Sequence, residues 1–445
     1  MGSSDRIIKR WLVVVGAILI QLCLGAIYAW NVFTTDLKDA NGMFKFSNVQ
    51  TQIIFSVGLA TFALVMVFAG RWQAKYGPRI IAFLGGILLG AGYILAGLFG
   101  KNFITQVIFI GIIGGAGIGL AYVCPISVGM KWFPDKKGLI TGLAVAGFGF
   151  GAFIWIQLAG GWAPLSMKLL SQIGVLKVFL IYGIVFAIAV SVGSIWMVNP
   201  PEGWKPVGWN PSSPQKGKGS STEDISSSQM LRRFQFYSLW IMFIFSGMAG
   251  LMTIGIIKLF GTDALKESFL AAAGLINPTD AQADQVKQII DRAKSIAGFA
   301  AVPLAFGNGI GRIVWGTISD KIGRKISLIL MCAFQAVMMF VFYWMGSSAF
   351  LLCLGAALIG FNFGGNFALF PTATADFFGS KNIGRNYPWV FTAYGIGGII
   401  GPIMAGSIKD IVGGWFPAFL ISGIACLIAA GIALSLKPPK APAKG

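Results

Sequence analysis

The sequence predicts an all-α integral membrane protein whose twelve transmembrane helices form two pseudo-symmetric halves of six. Three observations predict it. Hydrophobic residues make up 56% of the 445 and charged residues 11%, with a mean hydropathy of +0.78, a balance that no water-soluble globule of this size shows. Apolar stretches of the roughly 20 residues needed to cross about 30 Å of hydrocarbon recur along the whole chain. A charged motif and two further landmarks repeat between the halves at one fixed offset.

In order, the apolar stretches lie near 11-33, 50-70, 80-100, 103-130, 138-160 and 175-198, then near 234-258, 296-318, 326-346, 349-371, 387-409 and 413-436. The first is too long for a signal-peptide core and lacks a small-residue cleavage site, so it reads as an uncleaved span. Met1 and Gly2 resemble a myristoylation start, but Arg6 occupies the Ser/Thr position of that signal. Cys23, Cys124, Cys332, Cys353 and Cys426 all fall within apolar stretches, with neither disulfide nor metal spacing. No cofactor or metal is expected.

Residues 1-198 form the expected first half and 234-436 the second. Between them, residues 199-233 are rich in Pro, Ser, Gly and Lys and cannot bury a core, so they read as a cytoplasmic linker. Residues 437-445 form a short tail. A polar insert, 261-295, breaks the symmetry: Thr279 can cap a helix with Asp284, Lys287, Asp291 and Lys294 on its wet face and Val286, Ile289, Ile290 and Ala293 opposite. It is expected outside the membrane. The net charge of +19 is distributed by side, with Lys and Arg about twice as frequent on the face carrying the termini as on the other. By the positive-inside rule both termini face the cytoplasm, and the excess is no nucleic-acid footprint.

Gly70 to Arg79 and Gly316 to Lys325 are two versions of one motif 246 positions apart, and the same offset relates Gly119 to Gly365 and Pro125 to Pro371. Duplicated halves are how secondary transporters are built, with the substrate near mid-membrane between them. Gly147, Gly149 and Gly151 correspond in the same way to a run that includes Gly395, Gly397, Gly398 and Gly401, positions suited to close packing or to sliding.

One charged side chain stands deep inside an apolar stretch. Arg312 lies eight residues before Asp320, about 12 Å along a helix, and Asn308 shares its face one turn earlier. Charge at that depth costs at least about 2.5 to 3.5 kcal/mol and is normally kept where it works. The alternative is an ion pair, but all 15 Asp and Glu residues fall in loops, termini or span ends. The missing partner is therefore expected to be an anionic substrate. With no histidine in the chain and no buried acid, no conventional proton carrier is present. Either one anion exchanges for another, or a proton travels by a less usual route such as the substrate's carboxyl. Tyr28, Tyr122, Phe363, Phe367, Phe391 and Tyr394 lie at comparable depth, where aromatic rings either pack against lipid and helices or wall a pocket. Lys258, at the outer end of the seventh span, reads as an interfacial anchor.

The stretch Gly316 to Lys325 resembles the loop between helices 8 and 9 of the major facilitator superfamily; in the first-half copy Ala74 replaces an aspartate. Within it, Gly25-Ala26-Ile27-Tyr28-Ala29-Trp30, Lys131 to Gly138, Asn199 to Trp204 and Arg385-Asn386-Tyr387 resemble the oxalate/formate antiporter and monocarboxylate transporter branch. The resemblance implies the major facilitator fold, a gating or conformational role for Gly70, Gly77, Gly316, Asp320 and Arg324, and an anion site at Arg312 and Asn308. Its aromatic lining would be Tyr28, Tyr122, Phe363, Phe367, Phe391 and Tyr394. Oxalate exchangers carry a second buried lysine where this chain has Tyr394, and a polar residue where it has Ile27. Animal-type monocarboxylate transporters carry an acid where it has Asn308.

One fixed cation balances one carboxylate, and a dicarboxylate leaves a charge unpaired at a cost of several kcal/mol. A small monocarboxylate such as lactate, pyruvate or formate is therefore expected ahead of oxalate, moved by a single chain in a prokaryotic inner membrane. A membrane enzyme would need a buried nucleophile, base or metal cluster, and the sequence offers none. A transport-derived sensor would need an output domain larger than the linker or the tail.

Overall fold

The computed structural model describes residues 10–39, 42–133, 137–160, 169–201, 204, 206, 225–275, 282–379 and 382–437, with side chains at 137–141 outside that description. Among these residues all regular structure is helical, and twelve helices are long and apolar enough to cross a membrane. The first six are α1 (Arg10–Lys38), α2 (Asn48–Tyr76), α3 (Pro78–Phe99), α4 (Phe103–Trp132), α5 (Gly142–Ala159) and α6 (Leu169–Ser194). The second six are α7 (Phe234–Ala272), α8 (Ala283–Ile322), α9 (Arg324–Met345), α10 (Ala349–Phe378), α11 (Ile383–Val412) and α12 (Phe416–Ser435). Every expected stretch is a helix.

Local chemistry sets the helix ends. Ser47 and Gln50 form a reciprocal capping box at the start of α2, satisfying two donors that a helix N-terminus leaves open. The repeated motif holds the tight turns from α2 to α3 and from α8 to α9. Each is a single glycine, Gly77 at φ +85 and Gly323 at φ +89, a backbone region that other residues enter only at a cost. Two spans are irregular: α1 tightens to a 3₁₀ stretch over Gly25–Trp30, which includes Tyr28, and α4 widens to a π stretch over Val107–Gly114.

Glycines bring α8 and α10 into backbone contact. A Cβ at Gly307 or Gly311 would run into α10 at Ala357 or Phe361, and one at Gly360 or Gly364 into α8 at Leu304 or Asn308. The halves meet by the same device. A Cβ at Gly149 of α5 would sit 2.7 Å from the Gly309 nitrogen of α8, and one at Gly70 of α2 would sit 2.6 Å from the Gly384 carbonyl of α11.

Within the insert expected at 261-295, residues 261-272 continue α7 and residues 283-295 form the start of α8. Helices α7 and α8, of 39 and 40 residues, reach nearly 60 Å each at about 1.5 Å per residue, about twice the hydrocarbon thickness. Asp284, Lys287, Asp291 and Lys294 are exposed and Ala293 is buried, as the expected amphipathic pattern requires; Thr279 lies outside the described residues. Both ends of the linker dock on the bundle. Trp132 donates to the Val198 carbonyl at 2.7 Å and packs on Trp204, while Asn386 donates to the Ile225 carbonyl at 2.9 Å.

Gly360→Val tests the α8–α10 contact. Overpacking of this kind costs about 1–3 kcal/mol, so the purified variant should unfold several degrees below wild type in a thermal melt; an unchanged melting temperature refutes the packing described.

Candidate functional site

Arg312 is fully buried on α8. Its Nε donates to the Asn308 side-chain oxygen at 3.0 Å, one helical turn earlier, and its Nη1 donates to the Val145 carbonyl of α5 at 2.8 Å. The second bond crosses between halves, and the bare Gly149 that lets α5 approach α8 makes it reachable. The guanidinium carbon stands 4.0 Å from the Phe367 ring centroid and 5.4 Å from that of Phe148. Both cation–π contacts stabilise a desolvated charge. No carboxylate bonds Arg312 among the described residues. Its Nη2, the Asn308 amide nitrogen and the Tyr122 hydroxyl are buried without hydrogen-bond partners.

The aromatic residues expected near mid-depth converge here. Tyr28 packs at 5.8 Å from Phe363 and 5.0 Å from Phe148, Phe363 at 5.2 Å from Phe367, and Phe391 at 5.5 Å from Tyr122 and 4.7 Å from Tyr394. All six of Tyr28, Tyr122, Phe363, Phe367, Phe391 and Tyr394 are at most 2% exposed, so the site is sealed from both faces. The Tyr28 and Tyr394 hydroxyls bond each other at 2.8 Å across the halves. Ile27 points elsewhere, into an apolar cavity inside the first half lined also by Trp30, Ile54 and Tyr93.

Sequence reasoning missed four contributors: Phe148, Phe62, the Val145 carbonyl and Tyr387. Phe148 had a signal, because it lies one duplication offset before Tyr394. Phe62 packs on Tyr122, Phe391 and Tyr394. A helix carbonyl exposed by a neighbouring glycine leaves no mark in the sequence.

The motif residues sit where α8 turns into α9. Arg324 pairs with Asp320 at 2.7 Å and Asp376 of α10 at 2.9 Å, and also bonds Ser319. Gly316 packs on the Ala368 side chain. In the first-half copy Gln73 accepts from Ser127 of α4 at 2.7 Å, so a neutral bond stands in for the ionic one. The face opposite the termini is closed by bonds between halves. Lys258 donates to the Val32 carbonyl at 2.8 Å with Asp36 at 3.9 Å, and Asp410 accepts from Asn48 at 2.6 Å and from the Val49 backbone at 3.1 Å. Lys258, expected as an interfacial anchor, thus also joins the two halves, with its side chain 13% exposed.

The chain matches the family model of the Major Facilitator Superfamily over residues 10–279 and 284–445. It is similar to the oxalate:formate antiporter of Oxalobacter formigenes, at 27% identity over 98% of this chain and 94% of that protein. It is similar to the apicoplast pyruvate carrier 1 of Toxoplasma gondii, at 24% over 86% and 81%, and to monocarboxylate transporter 13 of Rattus norvegicus, at 22% over 96% and 88%.

Asn308→Asp tests the neutrality of the site. An ionised carboxylate beside the Arg312 Nε would quench the guanidinium, so carboxylate binding near pH 7 should fall at least tenfold, about 1.4 kcal/mol. Acidification neutralises the aspartate, and binding should recover as pH falls. Binding titrations at several pH values check this, and pH-independent wild-type affinity refutes it.

Proposed function

Because the chain belongs to the major facilitator superfamily, we propose that it is a secondary transporter of small monocarboxylate anions, of the lactate, pyruvate or formate type. It would work by alternating access in a prokaryotic cytoplasmic membrane, with both termini cytoplasmic. The observation that carries this reading is Arg312, a fully buried guanidinium whose hydrogen-bonding neighbours are neutral. A carboxylate would take its free Nη2, with the Asn308 amide and the Tyr122 hydroxyl as further donors. A charge-assisted bond of this kind is about twice as strong as a neutral one. Phe363, Phe367 and Phe391 would exclude water, and the Tyr28–Tyr394 bond would seal the halves over the bound anion. No cofactor takes part, and a single chain holds the complete site.

Gly70, Gly77, Gly316, Asp320 and Arg324 would act in the conformational change, since the two motif turns join consecutive spans in each half. The coupling follows from charge. A naked guanidinium resists desolvation, whereas one paired with a carboxylate does not, so the loaded carrier should cross between states faster than the empty one. Anion exchange is the coupling this favours. Proton symport would have to place the proton on the substrate or on an unusual carrier group.

The similarity to an oxalate:formate antiporter supports dicarboxylate exchange as a second reading. Against it, Tyr394 occupies the position where the resemblance puts a second buried lysine, and its hydroxyl is already held by Tyr28.

Counterflow of labelled lactate in proteoliposomes tests the proposal. Arg312→Lys should retain less than a tenth of the wild-type rate, because a lysine lacks the planar fork that holds a carboxylate and the Val145 carbonyl together. Unlabelled lactate should compete better than oxalate. Wild-type rates in the variant remove Arg312 from the mechanism, and clear preference for oxalate reverses the substrate order.

A further inference from the structure

Resting on that reading of the function, we infer that the Tyr387 hydroxyl is a second station for the substrate's carboxylate, between Arg312 and the face that carries the termini. Tyr387 is 3% exposed, and its hydroxyl is buried without a hydrogen-bond partner. Buried hydroxyls normally find partners, because an unpaired one loses its water and gains nothing in return. A phenylalanine would fill the same space without that cost, so the hydroxyl calls for a ligand.

Position says which ligand. Tyr387, Phe391 and Tyr394 fall at i, i+4 and i+7 on one face of α11, and Tyr387 packs at 5.6 Å against Phe391, which in turn packs on Tyr122 and Tyr394. Tyr387 therefore belongs to the aromatic wall of the anion site. Helix α11 begins at Ile383 on the termini side, which puts Tyr387 about 6 Å along the helix from that end and about 10 Å from Tyr394. Tyr122, from the opposite half, is shared with the Arg312 site, so its buried hydroxyl can follow the carboxylate from one position to the other.

Two neutral donors suit a release station. They accept a carboxylate without a fixed charge that would hold it, so an anion leaving the guanidinium meets a weaker site before water. The station is built from both halves, and it comes apart as they separate on the termini side. A hydroxyl can donate as well as accept, and the anion that the neighbouring guanidinium selects, a small carboxylate, is an acceptor it can serve.

Tyr387→Phe removes the hydroxyl and keeps the ring. In proteoliposomes of uniform orientation, the half-saturation concentration for lactate offered at the termini face should rise about three- to tenfold, with the opposite face unchanged and the melting temperature not lowered. Tyr387→Leu, which also removes the ring, should show the same face dependence along with a lower melting temperature. Wild-type behaviour of Tyr387→Phe on both faces overturns the station, as does an equal loss on both faces together with a lower melting temperature. Absence of lactate counterflow in the wild-type protein removes the functional reading, and this station with it.

Discussion

A guanidinium buried between two helical halves without a carboxylate is the constraint on which the rest of this structure depends. Its charge is met by an amide oxygen, a helix carbonyl and two aromatic faces. Each is weaker than an ion pair, and each requires close approach. Backbone contact between α8 and α10 sets Phe367 beside the guanidinium, and the missing side chains at Gly149 and Gly309 bring the Val145 carbonyl within 2.8 Å. Glycine abundance, 61 residues in this chain, is thus tied to a charge that must be shielded by backbone as well as by side chains.

The two faces close by different chemistry. Opposite the termini, the bonds between halves are polar: Lys258 to Val32, and Asp410 to Asn48 and the first turn of α2, where a carboxylate also complements the helix dipole. Toward the termini the ionic cluster of Arg324, Asp320 and Asp376 stays within the second half. The halves there meet through the close approach of Gly70 to Gly384 and the stacking of Arg71 on Trp389. Separating the termini side exposes packed surface and breaks few polar bonds. Separating the other side strips a carboxylate from a helix N-terminus and a carbonyl from a buried ammonium.

The fold was legible because hydrophobic length and a duplicated motif are one-dimensional signals; that Gly77 and Gly323 of that motif take positive φ in the turns appears only in the structure. The centre of the candidate site was legible because a charge at mid-span is conspicuous. What escaped notice depends on the third dimension. Lys258 looks like an anchor in the sequence and is a cross-half contact only because α1 lies against α7. The insert reads as a separate polar element because composition does not reveal that a helix continues past the membrane. Tyr387 reads as one aromatic in a family motif, and its isolation appears only when every neighbouring acceptor can be excluded.

The duplication makes the asymmetry of the site informative. Phe148 and Tyr394 are repeat mates, yet the first half offers the guanidinium only a ring and a carbonyl, and the one buried guanidinium among the described residues belongs to the second half. On the proposed reading, a carboxylate bound at Arg312 would remain with the second half while the first half swings past it. Such a swing withdraws the Val145 carbonyl, freeing Nη1 beside the already unpartnered Nη2. An opened site thus presents two adjacent donors, the geometry that a single carboxylate accepts with both oxygens. Closing without an anion returns the guanidinium to a neutral carbonyl, a partial compensation that lowers the barrier to empty return without removing it. Exchange over net flux is then a matter of degree, set by how much better a carboxylate shields Arg312 than Val145 does.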